Sequence, residues 1–118
     1  KLIHNKDDIN SNTIIKVIVN EKDELIYMSR LPVPYSNNFS SLYKMQVPVY
    51  CFTLKALKIF SMYKKTINEQ FEDIELLRFL DLGYKIKMSE TTATSISVDI
   101  PSDVMKVEKH LNNLGVSD

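Results

Sequence analysis

Residues 14–19 read Ile-Ile-Lys-Val-Ile-Val, a run of β-branched side chains with one lysine inside it. Such side chains crowd a helix and suit a pleated, buried strand, so this run is the strongest local constraint on the chain. The polar stretch 20–24, Asn-Glu-Lys-Asp-Glu, then reads as a turn, and 25–29, Leu-Ile-Tyr-Met-Ser, as the returning strand of a hairpin. A hairpin alone is marginally stable in water, so its apolar face needs covering by later elements.

The rest of the chain offers candidates for that cover. Residues 30–41 hold Pro32, Pro34 and several Ser and Asn, a composition that reads as an extended loop. Residues 47–52 are apolar and strand-prone despite Pro48, and Thr53 is placed to cap a helix carrying Leu54, Leu57, Ile59 and Phe60. A second helix is expected from about Asn68, where Thr66 and Glu69 have the three-residue offset of a capping box. It would run through Phe71, Ile74, Leu77 and Leu80 to a stop at Gly83. Residues 84–88 alternate as a half-exposed strand, and 95–98 form another short strand candidate. Pro101 would open a last helix with Val104, Val107, Leu111 and Leu114 on one face and Gly115 just past its end. Strand, strand, loop, strand, helix, helix, strand, strand, helix points to an α/β fold, a mixed sheet layered with helices.

Composition excludes several functions. With 118 residues, 44% hydrophobic and 25% charged, the chain should bury one small core. Fifteen Lys+Arg against 15 Asp+Glu, with no basic cluster, argue against a nucleic-acid partner. No apolar run reaches the roughly 20 residues of a membrane span, and no apolar signal region opens the chain, so a soluble, cytoplasmic protein is expected. The single cysteine, Cys51, lies in an apolar stretch and is expected to be a buried thiol in a reducing compartment. The absence of Met at position 1 is compatible with a chain cut from something longer.

No Gly-rich phosphate loop, paired-cysteine spacing or nucleophile elbow is present, so no catalytic nucleophile or base is assigned. His4 is expected in a mobile end and His110 on a helix surface. Asp99 follows an apolar run and precedes Pro101, the strand-end position where α/β sheets place ligands; it could bind a hard cation such as Mg²⁺ or cap the last helix. Arg30, at a strand-to-loop junction, could grip a carboxylate or phosphate, or be a solvated loop arginine. Glu72, Asp73 and Glu75 crowd what reads as a helix start, and Glu75 with Arg78 has the spacing of a helical ion pair.

Three stretches together carry a resemblance. Leu25-Ile-Tyr-Met-Ser-Arg-Leu-Pro-Val-Pro-Tyr35 is similar to the Tyr-Phe-Ser-Arg-x-Pro-Ile-Pro-Tyr stretch of 3-deoxy-manno-octulosonate (Kdo) cytidylyltransferases. Glu72-Asp-Ile-Glu-Leu-Leu-Arg-Phe-Leu-Asp-Leu-Gly-Tyr-Lys-Ile-Lys87 resembles that family's helix and strand, and Val98-Asp-Ile-Pro-Ser-Asp103 resembles its Val-Asp-Thr-Pro-Glu-Asp. The resemblance implies the C-terminal part of a single domain with a nucleotide-diphospho-sugar transferase-like fold, spanning residues 1–118, the CTP-binding N-terminal half having no counterpart here. It implies transfer of CMP from CTP to a sugar acid such as Kdo with release of pyrophosphate, Mg²⁺ as cofactor, and a homodimer. This chain would be the sugar-acid and dimerisation part, inactive in isolation.

Position by position, the resemblance implies Asp99 as metal ligand and Arg30, Gln46, Tyr50 and Glu75 as substrate-binding residues, with Arg30 facing the substrate carboxylate. Gln46 stands where the family usually has His, and Leu76 where it has Gln; Ile100 and Ser102 also depart from its pattern. Two alternatives stay open: a non-catalytic interaction module that keeps the sheet and the dimer-forming loop 32–41, and a nucleotidyltransferase for a different acidic sugar.

Overall fold

The structure, a computed structural model, describes residues 1–37, 42–92, 98, 101–113 and 115. Its elements are α1 (Lys6–Asn10), β1 (Lys16–Val19), β2 (Leu25–Ser29), β3 (Lys44–Met45), α2 (Leu54–Met62), α3 (Ile67–Glu72), α4 (Leu76–Asp81) and α5 (Pro101–Asn113). The three strands form one antiparallel sheet in the order β2-β1-β3.

The hairpin forms as its sequence requires. Val17 faces Met28 and Ile18 faces Tyr27, with an irregularity between Ile18 and Val19 that brings Val19 opposite Leu25. Asn20 organises the turn, its Oδ1 accepting from the Lys22 and Glu24 N–H groups, each at 2.9 Å. Asp23 takes a left-handed conformation at φ 55°, which short polar side chains tolerate better than β-branched ones. Val17, Leu25 and Met28 then bury against Ile74, Leu76, Leu77 and Phe79 of the α3–α4 region. Each such side chain contributes about 1.5 to 3 kcal/mol on burial. A smaller cluster of Ile3, Ile9 and Tyr43 packs beside β3. The opening of the chain is therefore tied to the sheet rather than the mobile end expected around His4: the Ile3 N–H donates to the Tyr43 carbonyl at 2.8 Å, and the His4 side chain is exposed.

Several expectations are corrected. Residues 47–52 form no strand. Pro48 has no N–H to give a ladder, the Val49 N–H donates back to the Val47 carbonyl at 2.7 Å, and the segment is irregular, with Cys51 exposed. Residues 84–88 keep their extended shape but pair with the sheet through one bridge, Glu24 with Lys87, flanked by Leu25 N–H to Ile86 O and Met88 N–H to Asp23 O, both 2.8 Å. The strand candidate at 95–98 lies outside the described residues except for Val98, which is in no strand. On α5, Val104 and Leu111 are 44% and 40% exposed and Val107 is half-buried, so none of the described residues of the expected core face is buried. None of the described helices is long and apolar enough to cross a membrane.

The single helix expected from Asn68 to Gly83 is two. Asp73, left-handed at φ 52°, ends α3, and Glu75 starts α4. The stop at Gly83 is as expected: Gly83, at φ 80°, donates to Leu80 O and Tyr84 to Phe79 O, satisfying the last carbonyls of α4. At the other end, the Thr53 side chain caps α2 by accepting from the Ala56 N–H at 3.1 Å. Thr66 makes no such side-chain cap, and its Oγ1 is buried without a partner among the described residues. Glu69, the other half of the expected capping box, does reach back to the Thr66 N–H, but its main partner lies elsewhere.

That partner is Arg78, which was expected to pair with Glu75. Arg78 Nε and Nη2 donate to the two Glu69 oxygens at 2.6 and 2.5 Å, in a fork-to-fork contact with Glu69 fully buried. Its Nη1 donates to the Phe60 and Tyr63 carbonyls at 2.9 and 3.1 Å, and its guanidinium lies 3.7 Å from the Phe60 ring centre. One side chain thus ties α2, α3 and α4.

The Arg78 hydrogen bonds hold the Glu69 carboxyl below its ordinary value of 4.5. The stabilisation is therefore fully present above that pH and is lost as pH falls through the lower folded value. Removing one partner strands a buried charge, so Glu69→Ala should cost about 3 to 5 kcal/mol in chemical denaturation. The double variant Glu69→Met with Arg78→Met should lose less than the sum of the single losses. Cys51 should react with a thiol reagent in native buffer as fast as in denaturant; protection until unfolding would contradict its exposed placement.

Candidate functional site

Four of the residues singled out from the sequence, Arg30, Gln46, Tyr50 and Glu75, lie toward one end of the sheet. Lys16 pairs with Ser29 on one side and with Met45 on the other, so Arg30 and Gln46, the residues just past β2 and β3, flank Ile15. The Gln46 N–H donates to Ile15 O at 2.9 Å. Two strand spacings set the Arg30 and Gln46 backbones roughly 10 Å apart. The α3–α4 corner caps the same end, because Arg30 reaches its Glu72 and Asp73 carbonyls, three and two residues before Glu75.

Tyr50 joins from the 47–52 segment. Its hydroxyl is hydrogen-bonded to Gln46 Nε2, and its ring stands 5.9 Å from Phe52, which stacks on Phe79 of α4 at 5.6 Å. Burial pushes the Tyr50 hydroxyl above its ordinary pKa, with the Glu75 charge adding to the shift. Gln46 is 8% exposed, and its Oε1 has no partner among the described residues, a buried acceptor available to a donor. Glu75 is exposed at the N-cap of α4.

Arg30 is neither a solvated loop residue nor paired to a carboxylate. Its Nε, Nη1 and Nη2 donate to the carbonyls of Glu72, Asn12 and Asp73 at 2.8, 3.0 and 3.4 Å. No carboxylate forms an ion pair with it among the described residues. Its positive charge is therefore held in place by neutral dipoles rather than cancelled.

The sequence reading missed the supports. Glu72 was expected in a solvated helix start, yet it is the last residue of α3 and is half-buried; Asp73 is the C-cap of α3 rather than part of a first turn. The Glu72 carboxylate accepts from Ser29 Oγ at 2.7 Å and from the Arg30 N–H at 2.8 Å. Lys16 is fully buried, its ammonium donating to the carbonyls of Ser11 and Ile14, each at 2.7 Å, and to that of Arg30. Burial lowers its pKa, opposed by the Glu72 charge. A lysine inside a β-branched run was the one available signal.

A groove of about 270 Å³ runs beside this end, lined by Val17, Met45, Tyr50, Leu76 and Met88 among others. Arg30, Gln46 and Glu75 do not line it. Leu76 is 4% exposed and belongs to the main core. Asp99 lies outside the described residues, and among the described residues no three His, Cys, Asp or Glu gather as a metal cage. Leu76→Gln should cost about 2 to 4 kcal/mol in denaturant titration, since it sets an amide in an apolar site; an unchanged midpoint would show that the groove can solvate that position.

No protein-family model matches the chain. Individual relatives do. A 3-deoxy-manno-octulosonate cytidylyltransferase of Christiangramia forsetii is 36% identical over 112 residues, 93% of this chain and 45% of the relative. One from Bdellovibrio bacteriovorus is 33% identical over 117 residues, 93% of this chain and 47% of the relative. One from Escherichia coli is 34% identical over 94 residues, 79% of this chain and 38% of the relative. The chain thus spans 38% to 47% of the length of these relatives. A solved structure of CMP:2-keto-3-deoxy-manno-octonic acid synthetase complexed with CTP matches with a TM-score of 0.85 at 29% identity, covering 96% of this chain and 47% of that one. Over the stretch it spans, which corresponds to the C-terminal part of its relatives, this chain belongs to the 3-deoxy-manno-octulosonate cytidylyltransferase family.

Proposed function

We propose that the protein carrying this chain transfers CMP from CTP to a sugar acid of the Kdo type. The anomeric hydroxyl attacks the α-phosphorus, the bond to pyrophosphate breaks, and pyrophosphate leaves. The observation that carries this reading is the convergence of Arg30, Gln46, Tyr50 and Glu75 at one sheet end. Arg30 has five N–H donors, and carbonyls take three of them. That leaves one on each terminal nitrogen, a pair that matches the two oxygens of a sugar-acid carboxylate. Gln46 Oε1 accepts from a sugar hydroxyl, the Tyr50 hydroxyl bonds beside it, and the Glu75 carboxylate accepts from a further hydroxyl.

Asp99 would supply one oxygen to Mg²⁺. A cation of this kind is held by one or two carboxylates plus substrate phosphates, so a single aspartate fits it without a cage of protein ligands. When bound, the ion neutralises charge on the phosphates. Loop 32–41, flanked by Leu31 and carrying Tyr35, 69% and 85% exposed, serves as a homodimer contact, and the exposed thiol of Cys51 suits a reducing cytoplasm. A second reading, in which the activated sugar is an acidic sugar other than Kdo, rests on Leu76, whose apolar side chain cannot make the hydrogen bonds of a glutamine.

The test is pyrophosphate release by the intact natural protein with CTP, Mg²⁺ and a panel of sugar acids. Turnover with Kdo, falling by about 100-fold or more in Asp99→Ala, is the expected result. Turnover with another acidic sugar in preference to Kdo would decide for the second reading, and none with any sugar acid would overturn both.

A further inference from the structure

Arg30 is gripped at every point except the pair of N–H groups that have no partner among the described residues. Its amide donates to one Glu72 carboxylate oxygen while Ser29 Oγ holds the other, at 2.8 and 2.7 Å. Its carbonyl accepts from the Lys16 ammonium, and its Nε returns to the Glu72 carbonyl at 2.8 Å. Ser29 Oγ also accepts from the Leu31 N–H at 3.0 Å, so the peptides on both sides of Arg30 are fixed.

The placement of the Glu72 charge is unusual for a carboxylate beside an arginine. It is bonded to backbone and to a hydroxyl rather than to the guanidinium. A direct Glu72–Arg30 ion pair would fill the fork that an incoming carboxylate needs and would reduce its attraction. Turned to the backbone, Glu72 sets the position of Arg30 and leaves the fork open. Lys16, buried at the centre of the sheet end, adds a second fixed cation whose partners are all carbonyls.

We infer that Glu72, seconded by Ser29 and Lys16, is a positioning residue that holds the Arg30 guanidinium in register with the carboxylate of the sugar-acid substrate. The inference rests on the reading of Arg30 as the sugar-acid contact. Glu72 touches no substrate itself and acts through Arg30, so its loss should be felt by the sugar acid and not by the nucleotide.

The test uses the intact natural protein and three variants, Glu72→Gln, Arg30→Ala and the double variant, with KM for the sugar acid and for CTP measured separately. Glu72→Gln keeps the shape and turns one acceptor into a donor. The expected result is a rise of about tenfold or more in sugar-acid KM with CTP KM within about twofold, and no further rise when Glu72→Gln is added to Arg30→Ala. Equal rises in both KM values, or an effect that adds fully to that of Arg30→Ala, would assign Glu72 a purely structural role and overturn the inference. If Arg30→Ala raises sugar-acid KM and Glu72→Gln does not, the inference fails while the reading of Arg30 stands. If Arg30→Ala itself leaves sugar-acid KM unchanged, that reading fails and the inference with it.

Discussion

The short helix α3 is the joint on which the fold turns, and two carboxylates three residues apart hold it there. Glu69 points into the helical side, where Arg78 binds it with both arms and also reaches the end of α2. Glu72 points to the sheet, where it fastens the end of β2. Buried or half-buried charges of this kind are costly without partners, so each strongly disfavours any packing that separates the two sides. The left-handed break at Asp73 makes this possible, because a continuous helix would carry Glu75 and Arg78 past the sheet end instead of turning the chain across it.

Apolar packing supplies the driving force around that joint, and polar contacts supply its geometry. Val17, Leu25 and Met28 press against Leu76, Leu77 and Phe79 with no directional demand. Phe79 extends the contact through stacked rings, to Phe60 on one side and Phe52 on the other. This chain of rings carries positional information from the helices to Tyr50, which sits in a segment without ladder hydrogen bonds of its own. An irregular segment held at its side chains by a rigid scaffold is a common way to present binding groups.

The cluster at the sheet end is electrostatically uneven in a way that suits an anion. Arg30 and Lys16 donate to carbonyl dipoles, which hold their charges without cancelling them, and the nearby Glu72 charge is committed to an amide and a hydroxyl. Two fixed cations therefore lie beside β2 and the α3–α4 corner, while the Glu75 charge at that corner adds to the rise in the Tyr50 hydroxyl's pKa. The family to which the chain belongs includes enzymes named for an acidic sugar.

Local rules sufficed where neighbours in sequence are neighbours in space. The hairpin at 16–29, the Thr53 cap, the stop at Gly83 and the three motifs were legible because β-branching, turn chemistry and left-handed glycine act over a few residues. What the tertiary structure decided depended on partners far along the chain. Residues 47–52 and 84–88 have strand-like patterns, but a strand needs a partner strand to pair with, and among the described residues these two segments make one bridge, at Lys87. Arg78 chose Glu69 over the sequence-adjacent Glu75 because only Glu69 is buried with it, where a charge must be paired. The roles of Glu72 and Lys16 exist only once β1, β2 and α3 meet, since no spacing in sequence records that a glutamate 42 residues beyond Arg30 will hold its amide.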